Sequence, residues 1–250
     1  MDVQLPPKTS PPTKTQPPHN ITIETMAPIQ FGVLMVPYQT VDVAMPLDVL
    51  SICSKSLMAS IESGGTPGAA GMAEKAIDIE FHHINDTMDP VELTAGFKVL
   101  PSTTIEKCPP LDLLLIGGPD AINYHLPETF KQFIRNHVNA GKIIFATCTG
   151  ALTMSESGVL DGKNATVNHV MVEAAKQINP KVKWTKETQW VVDGNVWTAG
   201  GACAGMDMVA HWVMKNYPPE LVKLGFSLLD YEPRDVNGDR VFPQQHGVSA

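Results

Sequence analysis

The chain has 250 residues, of which 43% are hydrophobic and 18% are charged, proportions typical of a globular protein with a substantial core. Its formal net charge of -8 argues against a nucleic-acid partner, because surfaces that bind nucleic acid cluster Lys and Arg against the phosphates. The sequence shows neither an apolar run of roughly 20 residues nor a signal peptide, so we expect a cytoplasmic protein with no membrane partner.

Cysteine is rare, and the four residues show neither a CxxC pair nor the spacing of zinc ligands: Cys53, Cys108, Cys148 and Cys203. The histidines show no ligand spacing with carboxylates or cysteines either. We therefore expect reduced thiols, no bound metal and no cofactor.

The two ends of the chain differ from its middle. Residues 1–28 are rich in Pro, Lys, Thr, Ser and Gln and contain almost no large apolar side chain. Such a segment cannot bury enough surface to offset the entropy lost on ordering, so we predict a disordered N-terminal tail. A folded domain is predicted over residues 29–235, followed by a C-terminal tail over residues 236–250.

The first half of the domain alternates strands and helices. Residues 31–37, FGVLMVP, form a continuously apolar run typical of a strand that is buried on both faces. Residues 45–58 have apolar positions at helical spacing, with Pro46 near the predicted first turn. A strand at residues 77–84 and two short strands within residues 91–102 follow a Gly-rich loop.

The second half continues the alternation, with predicted strands at 111–118, 142–147, 187–193 and 195–201 and helices at 127–139 and 204–217. This order predicts an α/β fold, in which a mostly parallel sheet is sandwiched by helices in a flavodoxin-like manner. Ligands of such sheets bind beyond the carboxyl ends of the strands. Asp42, Gly118 and Cys148 each lie at or just past one of those ends.

Cys148 lies between a buried strand and a helical segment that starts near Thr149 and Gly150. Unpaired N–H groups and the helix dipole at a helix start favour the thiolate, which is the nucleophilic form. The small residues around it, TCTGAL, suit the sharp strand-to-helix turn of a nucleophile elbow. The periodicity alone is equally compatible with a small buried hydrophobic residue.

The segment at residues 146–169, ATCTGALTMSESGVLDGKNATVNH, resembles the nucleophile elbow of the ThiJ/PfpI family, within the class I glutamine amidotransferase-like superfamily. Among the members it is most similar to the isonitrile hydratases. Three further segments agree with the family in order and spacing, at residues 41–50, 111–120 and 198–210.

The resemblance implies that Cys148 is the nucleophile and that Asp42 is an acid that moves a proton or orients water. Without the resemblance, a lone acid just after a strand is usually a helix cap or a solvated loop residue. The resemblance also implies a homodimer that acts on a small-molecule substrate.

The predicted oxyanion and substrate-binding positions are Gly117, Gly118, Thr149 and Gly150. The resemblance implies that the backbone N–H groups of Gly118 and Thr149 face the reacting centre, where they would stabilise developing negative charge.

Three positions leave the chemistry open. Thr149 stands where some members of the family have a histidine, so the sequence excludes a Cys–His pair at adjacent positions. Met45 stands where the closest relatives usually have glycine, and we expect it to reshape or narrow the pocket. His169 is an alternative partner for the thiol, but the resemblance does not assign it to catalysis.

The resemblance implies a cofactor-free hydro-lyase or hydrolase that converts an isonitrile into an N-substituted formamide. The residues by themselves indicate only an activated thiol in a cleft. They leave open an amide, an α-oxoaldehyde or a biosynthetic intermediate as the substrate, and also a non-catalytic thiol oxidation sensor.

Overall fold

The structure is a computed structural model that describes residues 27–242. The predicted N-terminal tail lies outside the described residues except for its last two positions, and residues 243–250 of the predicted C-terminal tail also lie outside them. No helix within the described range is both long and apolar enough to cross a bilayer.

The described elements alternate along the chain. The strands are β1 (Ile29–Leu34), β2 (Ile79–Asn85), β3 (Val91–Glu92), β4 (Lys98–Val99), β5 (Thr103–Thr104), β6 (Leu113–Ile116), β7 (Ile143–Thr147), β8 (Asn164–Ala165), β9 (Lys183–Trp184), β10 (Trp190–Asp193) and β11 (Val196–Ala199). The helices are α1 (Thr40–Ile52), α2 (Lys55–Ser63), α3 (Met72–Lys75), α4 (Glu128–Asn139), α5 (Gly150–Ser155), α6 (Val172–Ile178), α7 (Ala202–Asn216) and α8 (Pro219–Leu228), and a 3-10 helix covers His169–Met171.

Seven strands form the central sheet in the order β10-β11-β7-β6-β1-β2-β5. Every neighbouring pair is parallel except the β10–β11 hairpin at one edge. The continuously apolar runs of the sequence became the central strands β1, β6 and β7, and β6 is buried at all four positions. The predicted α/β fold, a mostly parallel sheet flanked by helices, is confirmed.

Helix α1 differs from the prediction, because it starts at Thr40 and places Pro46 in its interior. Proline has no N–H group, so the carbonyl of Asp42 four residues earlier lacks its helical donor. The Thr147 hydroxyl donates to that carbonyl at 3.0 Å and so replaces the missing bond. Asp42 therefore lies in the first turn of a helix that is tied to the end of β7.

The chain beyond residue 217 has more structure than the sequence analysis assigned. Helix α8 begins with a proline at its first position, which is a favourable start for a helix. The segment after α8 is held by two backbone hydrogen bonds. The N–H of Gln189, from before β10, donates to the carbonyl of Val236 at 2.9 Å, and the N–H of Val241 donates to the carbonyl of Pro233 at 3.0 Å. The predicted domain end at residue 235 falls inside this segment, and the domain limits stay a prediction.

We expect Gly32→Ala to lower the free energy of unfolding by about 1–3 kcal/mol through overpacking. A Cβ at Gly32 would lie 2.4 Å from Leu111 Cδ1 and 2.8 Å from Ile84 Cδ1, and both side chains are buried. Gly64→Ala is the matched control, because its Cβ would make ordinary contacts of 3.4 Å and 3.5 Å. Urea unfolding curves compare the variants, and equal stabilities would contradict the prediction.

Candidate active site

Cys148 occupies a strained turn directly after β7. Its φ of 55° lies in the left-handed region, which residues other than glycine rarely adopt. The turn is held on both sides, because the Cys148 N–H donates to the Ala199 carbonyl at 3.0 Å and its own carbonyl accepts from Asn168 N–H at 3.3 Å. Strain of this kind between a buried strand and a helix is typical of a nucleophile elbow.

Two of the predicted glycines make close packing possible around the elbow: Gly150 against the end of β6, and Gly117 against the segment that leads into α1. A Cβ at Gly150 would lie 2.8 Å from the carbonyl oxygens of both Ile116 and Gly117. A Cβ at Gly117 would lie 2.8 Å from Tyr38 Cβ and from Val43 Cγ2. In the structure, Gly117 and Gly150 therefore make space for neighbouring backbone and side chains.

Asp42 is fully buried, and its carboxyl group faces the thiol. Oδ2 accepts a hydrogen bond from Gly118 N–H at 2.9 Å, whereas buried Oδ1 has no partner among residues 27–242. Burial raises the pKa of Asp42 to about 6, although hydrogen bonds with Gly118 and the Cys148 thiol lower it in part. Asp42 can therefore take up and release a proton close to neutral pH beside the sulfur.

The two predicted oxyanion donors lie next to each other but make different contacts. A Cβ at Gly118 would lie 2.4 Å from Thr149 Oγ1 and 2.8 Å from Asp42 Oδ2, so only glycine fits there. The Gly118 N–H is already bonded to Asp42, whereas the Thr149 N–H lies beside Cys148 and lowers the pKa of its thiol. The Thr149 hydroxyl donates to the Pro119 carbonyl at 2.7 Å, so this side chain binds the backbone and is not placed as a base.

The pKa of the Cys148 thiol is raised, which is opposite to the direction expected from a helix start. Burial is the main cause and the charge of Asp42 adds to it, while hydrogen bonds from Asn168 and Thr149 act in the other direction. Helix α5 has only six residues and Cys148 precedes its N-cap, Thr149, so the dipole offers little compensation.

A cavity of about 360 Å³ opens beside the thiol. Its lining residues come from the ends of α1 and β6, from the elbow and from the 3-10 helix: Gln39, Thr94, Gly118, Pro119, Asp120, Cys148, Thr149, Asn168, Val170 and Met171. This lining contains one carboxylate, Asp120, and no basic side chain, so it favours a neutral ligand over an anionic one.

A larger cavity of about 440 Å³ lies at the start of α7, away from the thiol. Its buried acid, Asp207, accepts hydrogen bonds from the Tyr231 hydroxyl and, at 3.0 Å, from Arg234 N–H. These contacts anchor the turn after α8 and give Asp207 a structural role. We therefore place the candidate active site in the smaller cavity. Met45 lines this larger cavity and not the one beside the thiol, and its expected effect on the thiol pocket stays a prediction.

Asn168 is a contact of the thiol that the sequence analysis missed, since its Nδ2 lies 3.4 Å from Cys148 Sγ. The His169 ring packs on Gly200, where a Cβ would lie 2.3 Å from Nε2, and it does not line the thiol cavity. The one signal in the sequence was the position of Asn168 inside the elbow segment at residues 146–169.

A strained cysteine beside a buried acid, at the carboxyl edge of a parallel sheet, defines the class of nucleophile-elbow α/β proteins. Residues 41–215 match the DJ-1/PfpI family. The chain belongs to this family, as its resemblance predicted.

The curated relatives that match this chain are named either as an enzyme or as transcriptional regulators. The chain is 28% identical over 160 residues to an isonitrile hydratase from Pseudomonas putida, covering 62% of this chain and 68% of that protein. It is 24% identical over 137 residues to the HTH-type transcriptional regulator GbdR from Pseudomonas aeruginosa, covering 55% and 37%. With the regulator CdhR of the same species it shares 26% over 176 residues, covering 68% and 51%. The match thus spans about half or less of each regulator.

Solved structures show the same fold. A ThiJ/PfpI family protein from Pseudomonas syringae aligns with a TM-score of 0.64 at 22% identity, covering 84% of this chain and 78% of that one. Drosophila melanogaster DJ-1beta aligns with a TM-score of 0.63 at 16% identity, covering 82% and 99%. At these identities the likeness concerns the fold alone.

The regulators contradict the expectation of no nucleic-acid partner, which was wrong. The net charge of the shared domain does not exclude a nucleic-acid partner, because it carries no information about the rest of a longer regulator. The matches cover only 37% and 51% of the two regulators. The homodimer implied by the resemblance stays a prediction.

We expect Asp42→Asn to stabilise the protein at pH 7.5 but not at pH 4. The pKa of Asp42 is raised from 3.8 to about 6, so the folded wild type loses stability as the pH rises from 3.8 to about 6. Above that range, the whole free-energy cost of a buried, ionised Asp42 is present. A shift of this size corresponds to about 3 kcal/mol. Urea unfolding at the two pH values measures the difference, and an equal effect at both would contradict it.

Asp112→Asn is the matched control, because the pKa of Asp112 is lowered in the folded protein whereas that of Asp42 is raised. Burial alone would raise the pKa of Asp112, but hydrogen bonds from Lys142 and from Gln30 N–H lower it overall. The stability contributed by this carboxylate is present at neutral pH and is lost on acidification. The control variant should therefore be less stable than the wild type at pH 7.5.

Proposed function

We propose that the protein is a cysteine-dependent hydratase that adds water to the terminal carbon of a small isonitrile and releases an N-substituted formamide. The observation that carries the proposal is the placement of two groups at one small cavity: the Cys148 thiol lines it, and the buried carboxyl of Asp42 is bonded to the N–H of Gly118, which lines it too. The similarity to an isonitrile hydratase supports the choice of substrate.

The pair Asp42 and Cys148 holds the proton that the first step needs. As Cys148 Sγ forms a bond to the isonitrile carbon, the thiol proton passes to the Asp42 carboxylate. Asp42 then donates this proton to the same carbon, which becomes the C–H of a covalent thioimidate. A carboxyl group with a pKa of about 6 suits both transfers near neutral pH.

Water completes the reaction in the second half of the cycle. Asp42 takes a proton from the water that attacks the thioimidate carbon and passes it to the substrate nitrogen, which leaves a tetrahedral carbon bearing a hydroxyl group and sulfur. The carbon–sulfur bond then breaks, the hydroxyl proton moves to sulfur as the carbonyl forms, and the formamide leaves. The Thr149 N–H, which lowers the pKa of the Cys148 thiol, stabilises the negative charge that develops on sulfur.

The lining of the cavity supports a small neutral substrate. Val170, Met171 and Pro119 provide apolar contact for an alkyl or aryl group. The carboxylates Asp42 and Asp120 would repel an anion, and the lining holds no basic side chain to offset them. An uncharged isonitrile satisfies both conditions, as do small amides or α-oxoaldehydes, which stay alternative substrates.

The second candidate function is a sensor domain without turnover. Two of the curated relatives are transcriptional regulators, and a partly exposed thiol can respond to oxidation or to a ligand. A sensor binds or reacts once per molecule, whereas a hydratase releases formamide repeatedly. Multiple turnover therefore distinguishes the two functions.

We expect Cys148→Ser to abolish formamide release, because a hydroxyl is a far poorer nucleophile than a thiolate. Asp42→Asn should lower the rate on the order of 10²-fold or more, the usual scale for acid–base catalysis. The double variant should be no worse than Cys148→Ser, since residues that act as one unit fail together. Chromatography of the product from cyclohexyl and aryl isonitriles measures the four rates.

Cys203→Ser provides the control, because Cys203 is exposed on α7 and lies outside the thiol cavity. Its rate should equal that of the wild type. Absence of turnover by the wild type with all the isonitriles would exclude the hydratase function. A full rate for Asp42→Asn would leave the thiol mechanism standing and remove Asp42 from it.

A further inference from the structure

We propose that Asn168 is a positioning residue whose side-chain amide holds and stabilises the Cys148 thiolate. The inference rests on the proposed thiol chemistry of Cys148. Its test, however, measures ionisation of the thiol and does not depend on the identity of the substrate.

Asn168 contacts the elbow through both its backbone and its side chain. Its backbone N–H donates to the Cys148 carbonyl at 3.3 Å, which supports the strained residue from one side. Its Nδ2 lies 3.4 Å from Cys148 Sγ, within range of an N–H···S hydrogen bond. Asn168 therefore fixes the main chain and the reactive atom of the same residue.

The orientation of the amide follows from a third contact. Asn168 Oδ1 accepts a hydrogen bond from Val170 N–H at 3.2 Å. A backbone N–H can only donate, so the oxygen of the amide must face Val170. The Nδ2 group is left to face the sulfur, which makes Asn168 a donor to Cys148 in every rotation that keeps the Val170 contact.

This donor opposes two influences that disfavour the thiolate. Burial and the charge of Asp42 both raise the pKa of Cys148, whereas the Asn168 hydrogen bond lowers it. The Nδ2 of an amide cannot accept a proton, unlike an imidazole nitrogen. Asn168 thus favours ionisation of the thiol while leaving Asp42 as the group that takes its proton.

Other titratable groups around the thiol are few. Asp42 faces it from α1, and Asp120 lines the same cavity from the loop after β6. His169 follows Asn168 directly, but its ring packs against Gly200. A change in the ionisation of Cys148 on replacement of Asn168 by an uncharged residue can therefore be assigned to the lost amide.

Asn168 also caps the 3-10 helix His169–Met171 through Oδ1, and this role must be separated from the proposed one. Asn168→Ser keeps a capping oxygen but is too short to reach the sulfur with a donor. Asn168→Asp keeps the cap and the shape of the side chain, and it replaces the donor by a carboxylate. Both substitutions retain the structural role and remove the proposed one.

The experiment measures the rate of Cys148 alkylation by iodoacetamide as a function of pH, with the modified peptide quantified by mass spectrometry. We expect the midpoint to rise by about one pH unit in Asn168→Ser and by more in Asn168→Asp, the scale of one hydrogen bond to a charged group. Exposed Cys203 serves as the internal control, and its profile should be the same in every variant. Burial raises the pKa of Cys53 to about 12 and that of Cys108 to about 11, and the mass spectrometry distinguishes their peptides from that of Cys148.

Unchanged Cys148 midpoints in both variants would overturn the proposal and leave Asn168 as a helix cap. Raised midpoints in variants whose circular dichroism matches the wild type would support it. Raised midpoints together with a wild type that hydrates no isonitrile would support the role of Asn168 while the proposed function fails.

Discussion

Asp42 is held at the carboxyl edge of the sheet by two hydrogen bonds, from Gly118 N–H to its side chain and from the Thr147 hydroxyl to its backbone carbonyl. The second bond exists because Pro46 cannot donate to that carbonyl. The helical hydrogen bond that α1 lacks at this carbonyl is replaced by a bond from β7, the strand that leads into Cys148. These two bonds fix Asp42 relative to the end of β6 and to the strand that carries Cys148.

The site gathers features that oppose folding. Cys148 has a left-handed backbone, Asp42 is fully buried with an unpaired Oδ1 among the described residues, and the thiol is partly desolvated. The dense core around the central strands offsets these terms, since β6 and most of β7 are buried completely. Such a concentration of unfavourable terms in one cavity is typical of a site maintained for chemistry.

The local pattern of apolar residues was enough to predict the fold, because the continuous apolar runs in β1, β6 and β7 are typical of strands that are buried on both faces. The positions of Cys148 and Asp42 came from resemblance of short motifs. The bond of Gly118 to Asp42 joins residues 76 positions apart, and the Asn168 contact spans 20 positions. Such contacts, and the burial that raises the thiol pKa, depend on tertiary packing, which neither periodicity nor composition encodes.

The tight fit at Gly118 also bears on how this protein can diverge. Any side chain there would collide with Asp42 and Thr149, so sterics oppose every substitution of Gly118. Val170, at the mouth of the same cavity, is 90% exposed and packs against little. A substitution at Val170 is therefore opposed by far fewer contacts than one at Gly118, so the shape of the cavity mouth can change while the packing around Cys148 stays the same.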